Sequence, residues 1–121
     1  MLEQFKDIVE WNKVCWNINF NYHLETSMLS EEFAELIIAL KNRDKREATD
    51  GLLDVLWVWI WTLFKLWLSA EDIDRAFKEI KESNYSKLIF EDWKYIALRD
   101  TTGKIIKPVG YRAPDLSFIE N

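Results

Sequence analysis

The sequence predicts an all-α protein: a four-helix bundle that oligomerisation completes, followed by an irregular C-terminal tail. The chain has 121 residues but only three glycines and two prolines, and of these five only Gly51 lies in the first hundred positions. A sandwich or barrel of short strands needs turn residues about every 8–12 positions, so an all-β fold is excluded. Residues 55–64 are apolar on every side of a helix, which predicts burial on every side. One short chain has too few other helices to surround such a helix, so we expect a homodimer or homotetramer.

The first two helices follow from apolar residues at helical spacing. The first is predicted over residues 2–16. Its apolar positions are Leu2, Phe5, Ile8, Val9 and Trp16. Residues 16–22 alternate apolar residues with Asn, and we interpret them as a helix end and a loop because Asn favours turns over strands. The second helix is predicted from His23 to Lys41.

The third helix is predicted from Arg46 to Leu68, after a polar turn. Its apolar centre has charged residues close by on both sides, Asp54 and Lys65. A bilayer span needs about 20 apolar residues, so this shorter run does not predict a membrane helix.

A fourth helix is predicted from Ser69 to about Tyr85, because Ser69 and the acid three residues later resemble a capping box. Residues 89–121 predict irregular structure or a short hairpin. We therefore expect a single domain over residues 1–121, with a helical core over 1–88 and a substrate-covering tail over 89–121.

Charge and composition exclude several classes of protein. The chain has 16 Lys and Arg against 21 Asp and Glu, a net charge of -5, which argues against nucleic-acid binding. The single cysteine, Cys15, excludes an internal disulfide and a Cys-based zinc site, and we expect it to be buried. Charged residues interrupt the N-terminal stretch, so no signal peptide is expected. These features together predict a cytoplasmic protein without membrane association.

The second helix carries a cluster of three acids, Glu31, Glu32 and Glu35. At about 100° per residue, Glu35 lies about 40° from Glu31 and about 60° from Glu32. All three flank the apolar stripe. We expect this acidic face to lie beside the buried seam between helices, where like charges repel more strongly than in water.

The third helix carries a second acidic face, formed by Glu47, Asp50 and Asp54. These residues fall within about 60° of one another, and Asp54 directly precedes the apolar run, where burial is expected. Two such faces across an antiparallel helix pair would suit Mg²⁺, which prefers carboxylate oxygens and leaves room for phosphate oxygens. The alternative is a solvated acidic surface without function.

Four segments in order resemble a known family. They are 31–36 (EEFAEL), 50–58 (DGLLDVLWV), 79–88 (EIKESNYSKL), and the tail pair 103–108 (GKIIKP) with 111–116 (YRAPDL). Together they are similar to the MazG-type all-α nucleoside triphosphate pyrophosphohydrolases, especially the small phosphoribosyl-ATP pyrophosphohydrolase-like proteins of phages and bacteria. The resemblance implies an enzyme in a bacterial cell or a phage-infected host. It implies Mg²⁺-dependent cleavage of a nucleoside triphosphate between the α and β phosphates by a metal-activated water, with Mn²⁺ as a possible substitute.

The resemblance also implies the roles of the acids. Glu31, Glu32, Glu35 and Asp54 are the expected catalytic acids, and Glu32, Glu35, Asp50 and Asp54 the expected metal ligands. The family's second motif, E-x-x-D, is altered here, because Gly51 stands where alignment on Asp54 places its Glu. We prefer Asp50 as the replacement for that Glu, with Glu47 as the alternative.

Substrate contacts are predicted in three places. Asn84 and Lys87, three residues apart at the end of the fourth helix, suit phosphate or ribose. Lys104, Lys107 and Tyr111 form a local basic segment that suits an anionic substrate. Trp16 and Asn19 are candidates for a nucleobase pocket.

Two other functions stay open at this point. One is the same chemistry on phosphoribosyl-ATP. The other is a non-catalytic helical assembly protein whose acids bind Mg²⁺ structurally or not at all, which the missing Glu at Gly51 favours.

Overall fold

The computed structural model describes residues 3–15 and 19–121, and within them it has four helices and one β-hairpin. The elements are α1 (Glu3–Val14), α2 (Tyr22–Lys41), α3 (Lys45–Lys65), α4 (Ala70–Tyr85), β1 (Ile89–Glu91) and β2 (Lys94–Ile96). The all-α prediction is confirmed, and the tail contains the short hairpin, which pairs Ile89 with Ile96. Leu2 and Trp16, the predicted ends of the first helix, lie outside the described residues.

The helix α3 ends at Lys65, three residues before the predicted end at Leu68. The N–H of Leu66 still donates to the carbonyl oxygen of Thr62 at 3.1 Å. Trp67 then has a φ of 63°, in the left-handed region. That conformation does not continue a right-handed helix. The helix therefore ends before the apolar pattern of the sequence does.

Side-chain caps define the starts of α2 and α3. The side chain of Asn21 accepts a hydrogen bond from the N–H of Leu24 at 3.1 Å, and its own N–H donates to the Glu25 carboxylate at 2.8 Å. This arrangement satisfies donors that a helix start would otherwise leave unpaired. Asp44 caps α3 in the same way, by accepting from the N–H of Glu47 at 3.1 Å.

The chain forms two compact units, Met1–Ser69 and Ala70–Asn121. The first contains α1, α2 and α3, and the second contains α4, the hairpin and the tail. The expected single domain, with its helical core and substrate-covering tail, stays a prediction.

In the first unit, α2 and α3 pack along each other and α1 packs against α3. The buried apolar side chains of these helices are Ile8, Leu36, Ala39, Val55, Val58, Ile60 and Trp61. Gly51 lies where α3 approaches α2 closely, because a Cβ at this position would stand 3.4 Å from the Cα of Leu36. The absence of a side chain at Gly51 thus lets the two helix backbones come together.

A buried ion pair joins α2 to α3. The side chain of Lys65, in the last turn of α3, is fully buried, and its Nζ donates to the carboxylate of Glu25, in the first turn of α2. The Lys65 ammonium also lies 5.7 Å from the centroid of the Trp61 ring. Since the start of one helix meets the end of the next, α2 and α3 are antiparallel.

Within one chain the apolar centre of α3 is not buried on every side, as expected for a chain with too few helices to surround it. Leu56, Trp57 and Trp59 are 37% to 46% exposed. Within the first unit only α1 and α2 cover α3, and they leave part of its surface open. Other large apolar side chains of α2 and α3 are also exposed: Ile37, Ile38, Leu40, Leu52 and Leu53. Among the described residues, no helix has the length and hydropathy that crossing a membrane requires.

In the second unit, the tail is fastened to α4. The guanidinium of Arg112 donates to Glu79 at 3.0 Å and to Glu82 at 3.1 Å. The N–H of Asp115 donates to the same Glu79 carboxylate at 3.0 Å, and the N–H of Arg112 donates to the Ser86 hydroxyl at 2.9 Å. The positive charge of Arg112 is therefore paired with two carboxylates of the same unit.

These contacts predict a pH-dependent tail attachment. The Asp115 N–H and, next, the Arg112 side chain lower the pKa of Glu79 below 4.5. A carboxyl group with a lowered pKa stabilises the folded state above its ordinary pKa, and this contribution is lost as the pH falls through the lowered value. We expect the carboxyl carbon of Glu79 to titrate below pH 4.5 in an NMR titration. The Arg112→Gln variant should move this midpoint upward, whereas Arg99→Gln should not. An unchanged midpoint in Arg112→Gln would contradict the assignment.

Candidate active site

The two predicted acidic faces lie along the contact between α2 and α3. Glu32 and Asp54 line one cavity, beside α1. Glu35 and Glu47 line a smaller one, of about 270 Å³, next to the turn that joins the helices. Glu31 is exposed. The antiparallel packing thus sets acids of the two helices opposite each other at two points.

Glu32 has the most unusual environment among these acids. Its Oε2 is buried and has no hydrogen-bond partner among the described residues. Burial raises the pKa of its carboxyl group, and the negative charges of Asp54, Glu35, Glu31 and Asp50 raise it further, in that order. A buried carboxylate oxygen without a donor, among like charges, is a position that a cation would stabilise.

Asp54 is exposed, contrary to the expected burial. It precedes the apolar run in sequence, but its side chain lines a cavity that is open to solvent. A carboxylate in this position can contact both solvent and a ligand.

The structure places the two candidates for the altered second motif, Asp50 and Glu47, in different surroundings. Gly51 is buried against Leu36, so no acid occupies the position that alignment gives to the family's Glu. Asp50 contributes to the negative field at Glu32. Glu47 lies instead beside Glu35. Both Asp50 and Glu47 remain candidates to complete the acidic set.

The carboxylate oxygens at this site are suitable ligands for a divalent cation. Carboxylate oxygens are the ligands that Mg²⁺ prefers, and no described residue donates a hydrogen bond to the buried Oε2 of Glu32. Over residues 3–15 and 19–121, no three acidic, His or Cys side chains form a ready-made cage for a metal ion. Mg²⁺ commonly binds through one or two carboxylates together with waters and substrate phosphates, so such a cage is not required.

The cavity that holds Glu32 and Asp54 has a volume of about 760 Å³ and lies between α1, α2 and α3. Its lining residues are Trp11, Asn12, Cys15, Met28, Glu32, Asp54, Trp57, Val58 and Trp61. The rings of Trp11 and Trp57 meet edge to face, with centroids 5.5 Å apart. The indole Nε1 of Trp61 is buried, and no residue within 3–15 and 19–121 accepts a hydrogen bond from it. The cavity therefore combines an acidic part with an aromatic part.

A model of the family described as phosphoribosyl-ATP pyrophosphohydrolase matches residues 15–84. The chain belongs to this family. The matched segment contains α2, α3 and most of α4, and thus every predicted acidic residue. No curated protein and no solved structure matches the chain. The resemblance to the MazG-like all-α pyrophosphohydrolases is confirmed, and family membership implies a pyrophosphohydrolase that acts on a nucleotide.

The predicted phosphate ligands of this family member lie in the second unit. Lys87 donates to the side-chain oxygen of Asn84 at 3.0 Å, so the pair does point to one side of the helix end. The ammonium of Lys107 lies 4.7 Å from the ring centroid of Tyr111, and Lys104 is exposed. The family match ends at residue 84, so it does not extend to the lysines or Tyr111. Their roles in substrate binding stay predictions.

The predicted nucleobase pocket involves the loop before α2. Trp16 lies outside the described residues, and Asn19 is exposed. Cys15 is exposed and lines the cavity, so its expected burial is wrong. It directly follows Val14, the last residue of α1, which is itself exposed.

Sequence reasoning missed several of these features. Trp11 and Asn12 of α1 were not predicted to lie at the site, although their spacing puts them on one helical turn with Ile8. The buried pair of Glu25 and Lys65 was missed as well. A signal existed for Glu25, since Asn21 with an acid four residues later is one position away from the capping-box spacing.

Proposed function

We propose that this protein is an Mg²⁺-dependent nucleotide pyrophosphohydrolase that converts a ribo- or deoxyribonucleoside triphosphate to the monophosphate and pyrophosphate. Water adds across the anhydride bond between the α and β phosphates. The observation that carries the proposal is the buried Oε2 of Glu32, which has no hydrogen-bond partner among the described residues and lines the same cavity as Asp54. Family membership supports the reaction class.

The residues divide into two proposed roles. Glu32, Glu35, Asp50 and Asp54 would hold Mg²⁺, with Mn²⁺ as a substitute. Bound Mg²⁺ would supply positive charge to neutralise the phosphates. Glu31, which is turned by about 100° from Glu32, would accept a hydrogen bond from the attacking water and orient it.

Phosphoribosyl-ATP is the second candidate substrate, and the description of the matching family favours it. The bond cleaved and the required acids are the same, because both substrates present a triphosphate. The two candidates differ in the group attached to the base.

We further propose a homodimer or homotetramer in solution. The exposed apolar side chains of α2 and α3, together with the partly covered centre of α3, support this. Sedimentation equilibrium measures the mass directly, and a monomer at all concentrations would contradict the proposal.

A nucleotide panel tests the proposed reaction. Purified protein is incubated with each canonical nucleoside triphosphate, each deoxyribonucleoside triphosphate and phosphoribosyl-ATP in the presence of Mg²⁺, and the products are identified by phosphorus NMR. We expect monophosphate and pyrophosphate in equal amounts, loss of turnover with a chelator, and recovery with Mg²⁺ or Mn²⁺. No turnover of any substrate, or orthophosphate as the only inorganic product, would refute the proposal. Thermal stabilisation by Mg²⁺ without turnover would favour a non-catalytic helical assembly protein.

A further inference from the structure

We propose that the aromatic part of the cavity between α1 and α3 binds the nucleobase, and that the indole N–H of Trp61 donates a hydrogen bond to an acceptor atom of that base. This inference rests on the proposed function, because it assigns the other end of the same substrate. It places the base against Trp11, Trp57 and Trp61, instead of the loop that contains Asn19.

The first supporting observation is the unpaired donor. Trp61 is 5% exposed and lines the cavity, and its Nε1 has no hydrogen-bond partner in the part of the chain that the structure describes. A buried donor without an acceptor destabilises the protein, and most buried polar groups are paired. A ligand acceptor in the cavity would remove this destabilisation.

The second observation is the division of the cavity. Its acidic part, with Glu32 and Asp54, repels an anion unless a cation is present, whereas its aromatic part suits a flat and uncharged ring. A nucleotide has an anionic phosphate end, which can bind a cation, and a flat, uncharged base. Its base therefore fits beside the tryptophans while its phosphates lie towards the acids.

The size of the cavity agrees with this assignment. Its volume of about 760 Å³ falls in the range of small-molecule sites, about 300–1,000 Å³. Indole rings at Trp11 and Trp57 provide apolar surface. The atom placed at Trp61 must be an acceptor, such as a carbonyl oxygen or an unprotonated ring nitrogen. An amino group placed there would leave the N–H unpaired.

Cys15 gives a test that requires no mutation and no turnover. It is the only cysteine of the chain, it is exposed, and it lines this cavity. We expect nucleoside monophosphates, in the presence of Mg²⁺, to slow the reaction of Cys15 with N-ethylmaleimide at least several-fold. Ribose 5-phosphate, which has the phosphate but no base, should give little protection. Equal protection by both compounds, or by neither, would overturn the proposal.

The role of Trp61 is tested by Trp61→Phe, which keeps an aromatic ring and removes the N–H. The concentration of monophosphate needed for half protection of Cys15 should rise roughly 5- to 30-fold, as expected for one lost hydrogen bond. Trp59→Phe is the matched control, because Trp59 lies on the same helix but contacts Phe33 and does not line the cavity. Thermal unfolding verifies that both variants are folded. A folded Trp61→Phe protein with unchanged protection would refute the role of the indole N–H. If that variant does not fold, base binding in the cavity is tested by comparing protection by the monophosphate with protection by ribose 5-phosphate in the unaltered protein.

Failure of this inference is distinguishable from failure of the proposed function. Turnover of triphosphates without base-dependent protection of Cys15 would refute the inference alone. Base-dependent protection without turnover of any triphosphate would refute the hydrolase and leave the binding site in place.

Discussion

Replacing Asp54 by Asn should reduce kcat/KM for the preferred nucleotide by roughly 10²- to 10³-fold, the size of effect seen when one preorganised electrostatic contact is lost. Asp54 lines the same cavity as Glu32, whose buried Oε2 has no hydrogen-bond partner among the described residues, and in the proposed site both carboxylates hold a cation against phosphate. The amide keeps the shape of the side chain and removes its charge. The thermal midpoint should not fall, because Asp54 is exposed and its charge raises the pKa of Glu32.

Asp7→Asn is the matched control for this prediction, since Asp7 is an exposed residue of α1 that does not line the cavity. Its kcat/KM should stay within about twofold of the unaltered protein, as expected for a surface change away from the site. Full activity of Asp54→Asn would contradict the alignment of the second acidic motif. Parallel assays of Asp50→Asn and Glu47→Gln then identify the residue that completes the motif, because the correct one should lose activity to a similar extent.

Replacing Lys65 by Met should lower the free energy of unfolding by about 3–5 kcal/mol, the usual cost of removing one partner of a buried ion pair. The Lys65 side chain is fully buried and pairs with Glu25, which is 3% exposed. Its loss leaves a carboxylate without a cation in a nearly dry environment. Denaturant unfolding at neutral pH, followed by circular dichroism, measures the change.

Two variants show whether this loss comes from the buried charge. Lys13→Met removes an exposed pair with Glu10, so it should cost less than about 1 kcal/mol. The double variant Lys65→Met with Glu25→Gln removes both buried charges and keeps an acceptor for the N–H of Asn21. It should recover a large part of the stability lost in Lys65→Met. A double variant less stable than the single one would show that the loss comes from packing instead.

The helices could be predicted because their signals are local. Apolar residues at helical spacing, the scarcity of glycine and the capping box at Ser69 place the four helices near their observed positions. The end of α3 was missed, because Leu66 and Trp67 continue the apolar pattern while the backbone at Trp67 turns left-handed. An apolar pattern indicates which side chains are buried, but it does not indicate the residue at which a helix ends.

The acidic faces could be predicted for the same local reason, since the angle between residues on one helix is fixed. Which acid meets which across the helix pair could not be predicted. The answer depends on how far one helix is displaced along the other. The packing of Gly51 against Leu36 and the distant Glu25–Lys65 pair set this displacement. The aromatic cavity escaped prediction because Trp11 comes from a helix that the acidic pattern does not include.

The Glu25–Lys65 pair has a further consequence for the alignment of the two helices. Sliding α2 along α3 by one turn, about 5.4 Å, would separate the two charges inside the protein, so the pair disfavours every shifted register. Glu32 is seven residues from Glu25, about 10.5 Å along α2. Because helices are stiff over such a length, the register set at the pair is transmitted to the place where Glu32 faces the cavity with Asp54. The ion pair thus fixes the positions of the acidic residues relative to each other, although it lies outside the site.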